Sequence, residues 1–166
     1  MKRLLLARHA KSDWNDPRLT DRERPLNARG EKNAPDMGRR LLRLGVRPGC
    51  IVCSSAVRAL ATARLLAREL GVTPQKLVVL DELYAASPGS MLQLIQSLDG
   101  GDDEVLLVGH NPESTACANL LLGRQVIDNV PTCGVVALEF AVGRWGDVAP
   151  GGGRLLFFEY PKKKEP

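Results

Sequence analysis

The chain contains two histidines, and each closes an apolar run: Leu4–Ala7 leads into Arg8 and His9, and Val105–Val108 leads into Gly109 and His110. An imidazole at such a position can attack an electrophile, move a proton or donate a hydrogen bond. A guanidinium beside it supplies a planar fork that matches two oxygens of a phosphate. A further arginine, Arg58, falls in the first turn of a predicted helix, after Ser54 and Ser55. A cation there opposes the helix dipole. Its position makes sense if an anion lies between it and the helix N-terminus. A lone histidine at a strand end is commonly only a capping group, so the coincidence of two histidines and two arginines carries the argument. A tetrahedral dianion suits such a set, with one imidazole attacking phosphorus while the other groups hold the oxygens. Phosphoryl chemistry of other kinds needs other signals: carboxylate clusters for cations, a G-x-x-x-x-G-K-[ST] loop, or a cysteine followed by an arginine-rich loop. None of these patterns is present.

The elements must bring these residues together. Four short apolar runs, Leu4–Ala7, Cys50–Cys53, Leu77–Leu80 and Val105–Val108, alternate with amphipathic segments. That is the pattern of parallel strands covered on both faces and joined by crossover helices. Helical spacing joins Ala34, Met37, Leu41 and Leu44 before Gly45, and Leu60, Ala63, Ala67 and Leu70 before Gly71. Ser87-Pro88 reads as N-cap and first helical residue for Met91, Leu94, Ile95 and Leu98, and Pro112 opens a last helix to about Leu122. "VVALEFAV" and "RLLFFEY" flank a Gly/Pro-rich stretch and predict two antiparallel strands. Residues 16–30, rich in arginine and broken by proline, read as a surface loop leading into a helix near Asn27. The expected fold is a three-layer α/β/α domain over residues 1–161, with a flexible basic tail at 162–166. Ligands of such sheets sit outside the carboxyl ends of the strands. That edge should carry Arg8, His9, Ser12, Asn15, Ser54, Ser55, Arg58, Asp81, Glu82 and His110.

Composition narrows the function. At 166 residues the chain suits one domain with a real core, 44% hydrophobic and, with 4% aromatics, mainly aliphatic. The net charge of +4 would allow nucleic acid as a partner, but no basic patch interleaves with aromatics. The apolar run of "MKRLLLARHAK" is too short for a signal peptide core, and no stretch approaches a membrane span. A cytoplasmic protein without a membrane or nucleic-acid partner is expected. Cys50 and Cys53 form a C-x-x-C, but Ile51 and Val52 between them look like strand, so buried small hydrophobes are expected rather than a metal or redox pair.

"LARHAKSDWN", "SSAVRALATA" and "LLVGHNP" together resemble the histidine phosphatase superfamily, which includes the phosphoglycerate mutases. "RHAKSDW", "RPLNARG" and "GHNPE" look most like its small SixA-type phosphohistidine phosphatases, and the likeness spans roughly residues 3 to 123. The resemblance implies a phosphoglycerate mutase-like fold and hydrolysis through a phosphohistidine, with no cofactor. His9 would be the nucleophile, and Arg8, Arg58 and His110 the phosphate pocket. Ser12 and Asn15 would help line it. Glu82 would match the family's proton donor, with Asp81 as competitor. Two departures stand out. Ala10 replaces the glycine of the wider family, which would strain a backbone of positive φ. There is also little inserted sequence between Glu82 and His110 to build a lid, which suits a phosphorylated protein or a small phosphate ester and argues against mutase activity. A non-catalytic module that binds phosphorylated ligands is the alternative of another class.

Overall fold

A computed structural model describes residues 1–98 and 101–165 of the protein. Its centre is a six-stranded sheet made of β1 (Lys2–Arg8), β2 (Cys50–Ser54), β3 (Leu77–Leu80), β4 (Glu104–Gly109), β5 (Val135–Phe140) and β6 (Gly153–Glu159), in the order β3-β2-β4-β1-β5-β6. β1, β2, β3 and β4 run parallel, β5 adds antiparallel to β1, and β6 adds antiparallel to β5. Helices α1 (Ala28–Arg43) and α2 (Val57–Leu70) contribute to the core on one face, and α3 (Pro88–Gln96) and α4 (Glu113–Leu122) to the core on the other.

The two faces explain the unbroken apolar runs. Successive strand residues point to opposite sides. Thus Leu5 and Ala7 join the core under α1 and α2, while Leu4 and Leu6 join the core under α3 and α4. Leu106 and Val108 alternate with Val105 and Leu107 in the same way. Cys53 and Cys50 likewise belong to opposite faces, and burial raises both thiols to about 11, which keeps them protonated near pH 7.

β3 departs from the expectation of cover on both faces. It is the edge of the sheet, and Val78 and Val79 are about two-fifths exposed. A short apolar run looks the same in sequence whether it ends up central or at an edge.

Helix boundaries follow local chemistry. The Asn27 side chain accepts from the Gly30 N–H at 2.9 Å and starts α1, and Gly71 and Gly123 close α2 and α4 in the left-handed region. Side chains of α1 reach residues at the basic end. Arg40 donates to the carbonyls of Tyr160 and Lys163, the Lys163 ammonium to the Phe158 carbonyl, and Arg43 pairs with Glu165. Pro166 lies outside the described residues. Among the described residues no helix is long and apolar enough to cross a membrane.

Candidate active site

Register places the two histidines side by side. β1 and β4 are parallel neighbours with Arg8 opposite Gly109, so the next residue of each strand, His9 and His110, emerges at the same level. The His9 N–H donates to the Gly109 carbonyl at 3.1 Å, and the imidazole centroids are 5.3 Å apart. Arg58 arrives from the first turn of α2, only 5% exposed. Its Nε–H points at His9 Nε2 (3.3 Å) and its Nη2 lies 3.5 Å from His110 Nδ1.

These contacts assign the imidazole tautomers. A carbonyl can only accept, so His9 Nδ1–H donates to Ala10 O at 2.7 Å and Nε2 is the unprotonated nitrogen, its lone pair accepting from the Arg58 Nε–H at 3.3 Å. His110 Nε2–H donates to Ser54 Oγ at 2.8 Å, and its Nδ1 faces the Arg58 guanidinium. Burial pushes the His9 imidazole down to about 3; the hydrogen bond to Ala10 opposes this, while His110, Arg58 and Arg8 add to it. Burial, followed by Arg58, lowers His110 to about 4. Both rings are therefore neutral near pH 7, and His9 needs no base to free its lone pair.

The loop after β1 is locked from below. The Ala10 N–H donates to Thr62 Oγ1 (2.9 Å), and the same hydroxyl donates to the Arg58 carbonyl (2.8 Å). One threonine thus ties the residue after His9 to the helical turn that carries Arg58. Lys11 O accepts from the Asn27 N–H at 3.0 Å, and a Cβ on Gly30 would sit 2.2 Å from that oxygen. Only glycine lets α1 approach so closely. Ala10 itself is free of the feared strain: among the described residues the non-glycine positions of positive φ are Ala85 and Cys133.

The cleft has a volume of about 320 Å³ and is lined by Arg8, His9, Ser12, Arg58 and His110 as expected from sequence. It also takes Trp14, Asp21, Arg24, Tyr84 and Glu113, which sequence reasoning missed. Asp21 and Arg24 belong to the segment read as a surface loop. The Asp21 carbonyl and Oδ2 accept from Arg58 at 2.6 and 3.0 Å, and Oδ2 also accepts from the Tyr84 hydroxyl at 2.6 Å. The Tyr84 bond first, and the Arg58 guanidinium with it, hold the Asp21 carboxyl below its usual range. The Arg24 guanidinium lies 3.2 Å above the Trp14 ring, and its Nε is 3.3 Å from Asp21 Oδ1 without hydrogen-bond alignment.

Of the residues expected at this edge, Asn15, Ser54, Ser55, Asp81 and Glu82 fall outside the cleft lining. Glu82 is exposed on a short 3-10 turn, Asp81–Leu83, because Leu83 packs into the core and turns the chain so that Tyr84 enters instead, edge-on to His110 at 5.5 Å. Asp81 pairs with Arg22 at the surface. Asn15 is exposed, its N–H bound to Asp13.

The sequence profile of the histidine phosphatase superfamily (branch 1) matches residues 4–87, about half of the chain. The chain belongs to that superfamily. An uncharacterised protein of Mycobacterium tuberculosis is 32% identical over 93% of this chain and 99% of its own length. The crystal structure of a candidate phosphohistidine phosphatase, SixA of Agrobacterium tumefaciens, superposes with a TM-score of 0.83 at 28% identity, over 96% of this chain and 98% of that one. The protein histidine phosphatase SixA complexed with tungstate has the same fold, with a TM-score of 0.82 at 20% identity over 96% and 97% of the two chains. Membership and these neighbours support phosphatase activity on a phosphoglycerate mutase-like fold, in its SixA-type form.

Proposed function

We propose that the protein removes phosphate from phosphohistidine on a protein through a covalent intermediate on His9. The observation that carries this reading is the unprotonated Nε2 of a neutral His9, held toward the Arg58 guanidinium at 3.3 Å and set among further guanidinium donors. Arg8 Nε and Arg24 Nε and Nη1 are buried donors without a hydrogen-bond partner among the described residues, and Arg8 retains only a bond from Nη1 to the Val130 carbonyl. Buried donors are normally satisfied. Phosphate oxygens would satisfy these, together with the Arg58 guanidinium.

In the first step His9 Nε2 attacks phosphorus in line. The Nε2–P bond forms as the bond to the leaving group breaks, and the electron pair departs with that group. Arg8 and Arg58 hold the equatorial oxygens as charge shifts, a contribution made by fixed donors that need not reorganise, while His110 lies against the Arg58 guanidinium with Nδ1 toward it. Water then attacks phosphorus, the P–Nε2 bond breaks, and inorganic phosphate leaves neutral His9 behind. A lining of guanidinium groups takes the place of a cation in neutralising phosphate.

A protein substrate suits the mouth of the cleft, where the Trp14 ring is 72% exposed and, among the described residues, no inserted segment between Tyr84 and His110 covers the histidines. The same openness admits small phosphate esters, which are the second reading. Quenching a turnover mixture should recover acid-labile, base-stable phosphate on His9. Full activity in His9→Ala, with no such phosphate in the native protein, would overturn the reading.

A further inference from the structure

Glu113 opens α4, three residues beyond His110, and lines the same cleft as His9. Its Oε2 is buried and has no hydrogen-bond partner, and the side chain forms no ion pair among the described residues. The other acidic group in the lining, Asp21, is fully engaged by Arg58 and Tyr84. An uncommitted carboxylate is a liability in a pocket for a dianion, since it repels the phosphate that the arginines attract. Its place in the cleft is explained if it faces a part of the substrate that brings a hydrogen-bond donor.

Resting on the function proposed above, we infer that Glu113 is the specificity-determining residue for the leaving group, selecting a nitrogen ring that carries an N–H. In a phosphohistidine the phosphorylated nitrogen is bonded to phosphorus, and the other ring nitrogen can carry a proton. A carboxylate accepting from that N–H favours the protonated ring. When the P–N bond breaks, its electron pair goes to the ring nitrogen, and the ring departs as neutral imidazole still holding its proton. Phosphorus meanwhile bonds to His9 Nε2, so no further acid is required. An alcohol leaving group has no such N–H in the Michaelis complex, and the carboxylate offers it only repulsion. The position of Glu82 outside the cleft agrees with this division of work.

The test compares phosphoimidazole with p-nitrophenyl phosphate, whose leaving group needs no proton. The native protein should prefer phosphoimidazole in kcat/KM. Glu113→Gln should lower kcat/KM for phosphoimidazole by about tenfold or more, the scale on which a lost hydrogen bond to a charged group reads out. Its kcat/KM for p-nitrophenyl phosphate should stay level or rise. Glu113→Asp, which keeps the charge, should recover part of the preference. A native preference for p-nitrophenyl phosphate, or equal changes on both substrates in Glu113→Gln and Glu113→Asp, would overturn the inference. A merely structural role predicts those equal changes. The proposed mechanism fails separately, on the absence of phosphate at His9, whichever substrate is preferred.

Discussion

The two walls of the cleft are built differently. One wall, Arg8, His9 and His110, stands directly on the ends of β1 and β4, with Arg58 in the first turn of α2 behind it. The other wall is Asp21 and Arg24 from a long loop, Tyr84 after a 3-10 turn, and Glu113 at the start of α4. The first wall inherits its geometry from sheet register, which cannot slip without moving every strand residue to the wrong face. In the second, Asp21 grips Arg58 of the first wall and Tyr84 bonds to Asp21 in turn. The contrast suggests that the strand wall supplies the phosphate chemistry and the loop wall supplies selectivity.

That division can be broken most sharply at Arg58, which touches both histidines and Asp21. Arg58→Ala should cost about 10²–10³-fold in kcat for every phosphorylated substrate, as loss of a fixed charge-stabilising donor does. Steady-state assays on phosphoimidazole and p-nitrophenyl phosphate would check it. A loss confined to one substrate would show that Arg58 belongs to the selective wall instead.

The next effect is in stability against pH. His9 and His110 titrate at about 3 and about 4 in the folded protein, against 6.5 when exposed. Below 6.5 the unfolded chain takes up protons that the folded one refuses. Stability therefore falls as pH drops from 6.5 toward 4, by at most about 1.4 kcal/mol per pH unit for each histidine. Thermal unfolding from pH 7 to 4 would show this, and a His9→Gln/His110→Gln variant should have a flatter profile. An equal slope in that variant would mean that the two rings are not buried neutral as described.

Thr62→Val makes the smallest and most local test. It removes the hydroxyl that accepts from the Ala10 N–H and leaves that donor buried, at a cost of about 1–3 kcal/mol in stability. Because the same hydroxyl couples His9 to Arg58, kcat should fall for both substrates while their ratio holds. A changed ratio would blur the separation of the walls.

The same division separates the legible residues from the hidden ones. The strand wall could be read because β1 and β4 each carry an unbroken apolar run, Leu4–Ala7 and Val105–Val108, so the ends of those runs and the residues just beyond them stand out in the chain. The helix start at Asn27 and the caps at Ser87 and Gly71 were equally local. The loop wall could not be read this way. Asp21 and Arg24 sit in a polar, proline-broken stretch that has the composition of a solvated loop, and nothing local says that it folds back over α2. Glu82 and Tyr84 are two residues apart, and which of them enters the cleft depends on Leu83 finding the core. Glu113 sat beside a recognised motif, but as a first-turn acid it had a sufficient local explanation in the helix dipole.

Sequence alone thus determined the elements, the α/β layering and the pair of histidines at strand ends, because hydrophobic period and capping act over a few residues. Tertiary structure alone decided that β3 is an edge, that Lys163 and Glu165 are tied to α1, and that Asp21, Arg24, Tyr84 and Glu113 share the cleft with His9. Each of those outcomes depends on contacts between distant parts of the chain, where burial and pairing are settled by the whole fold.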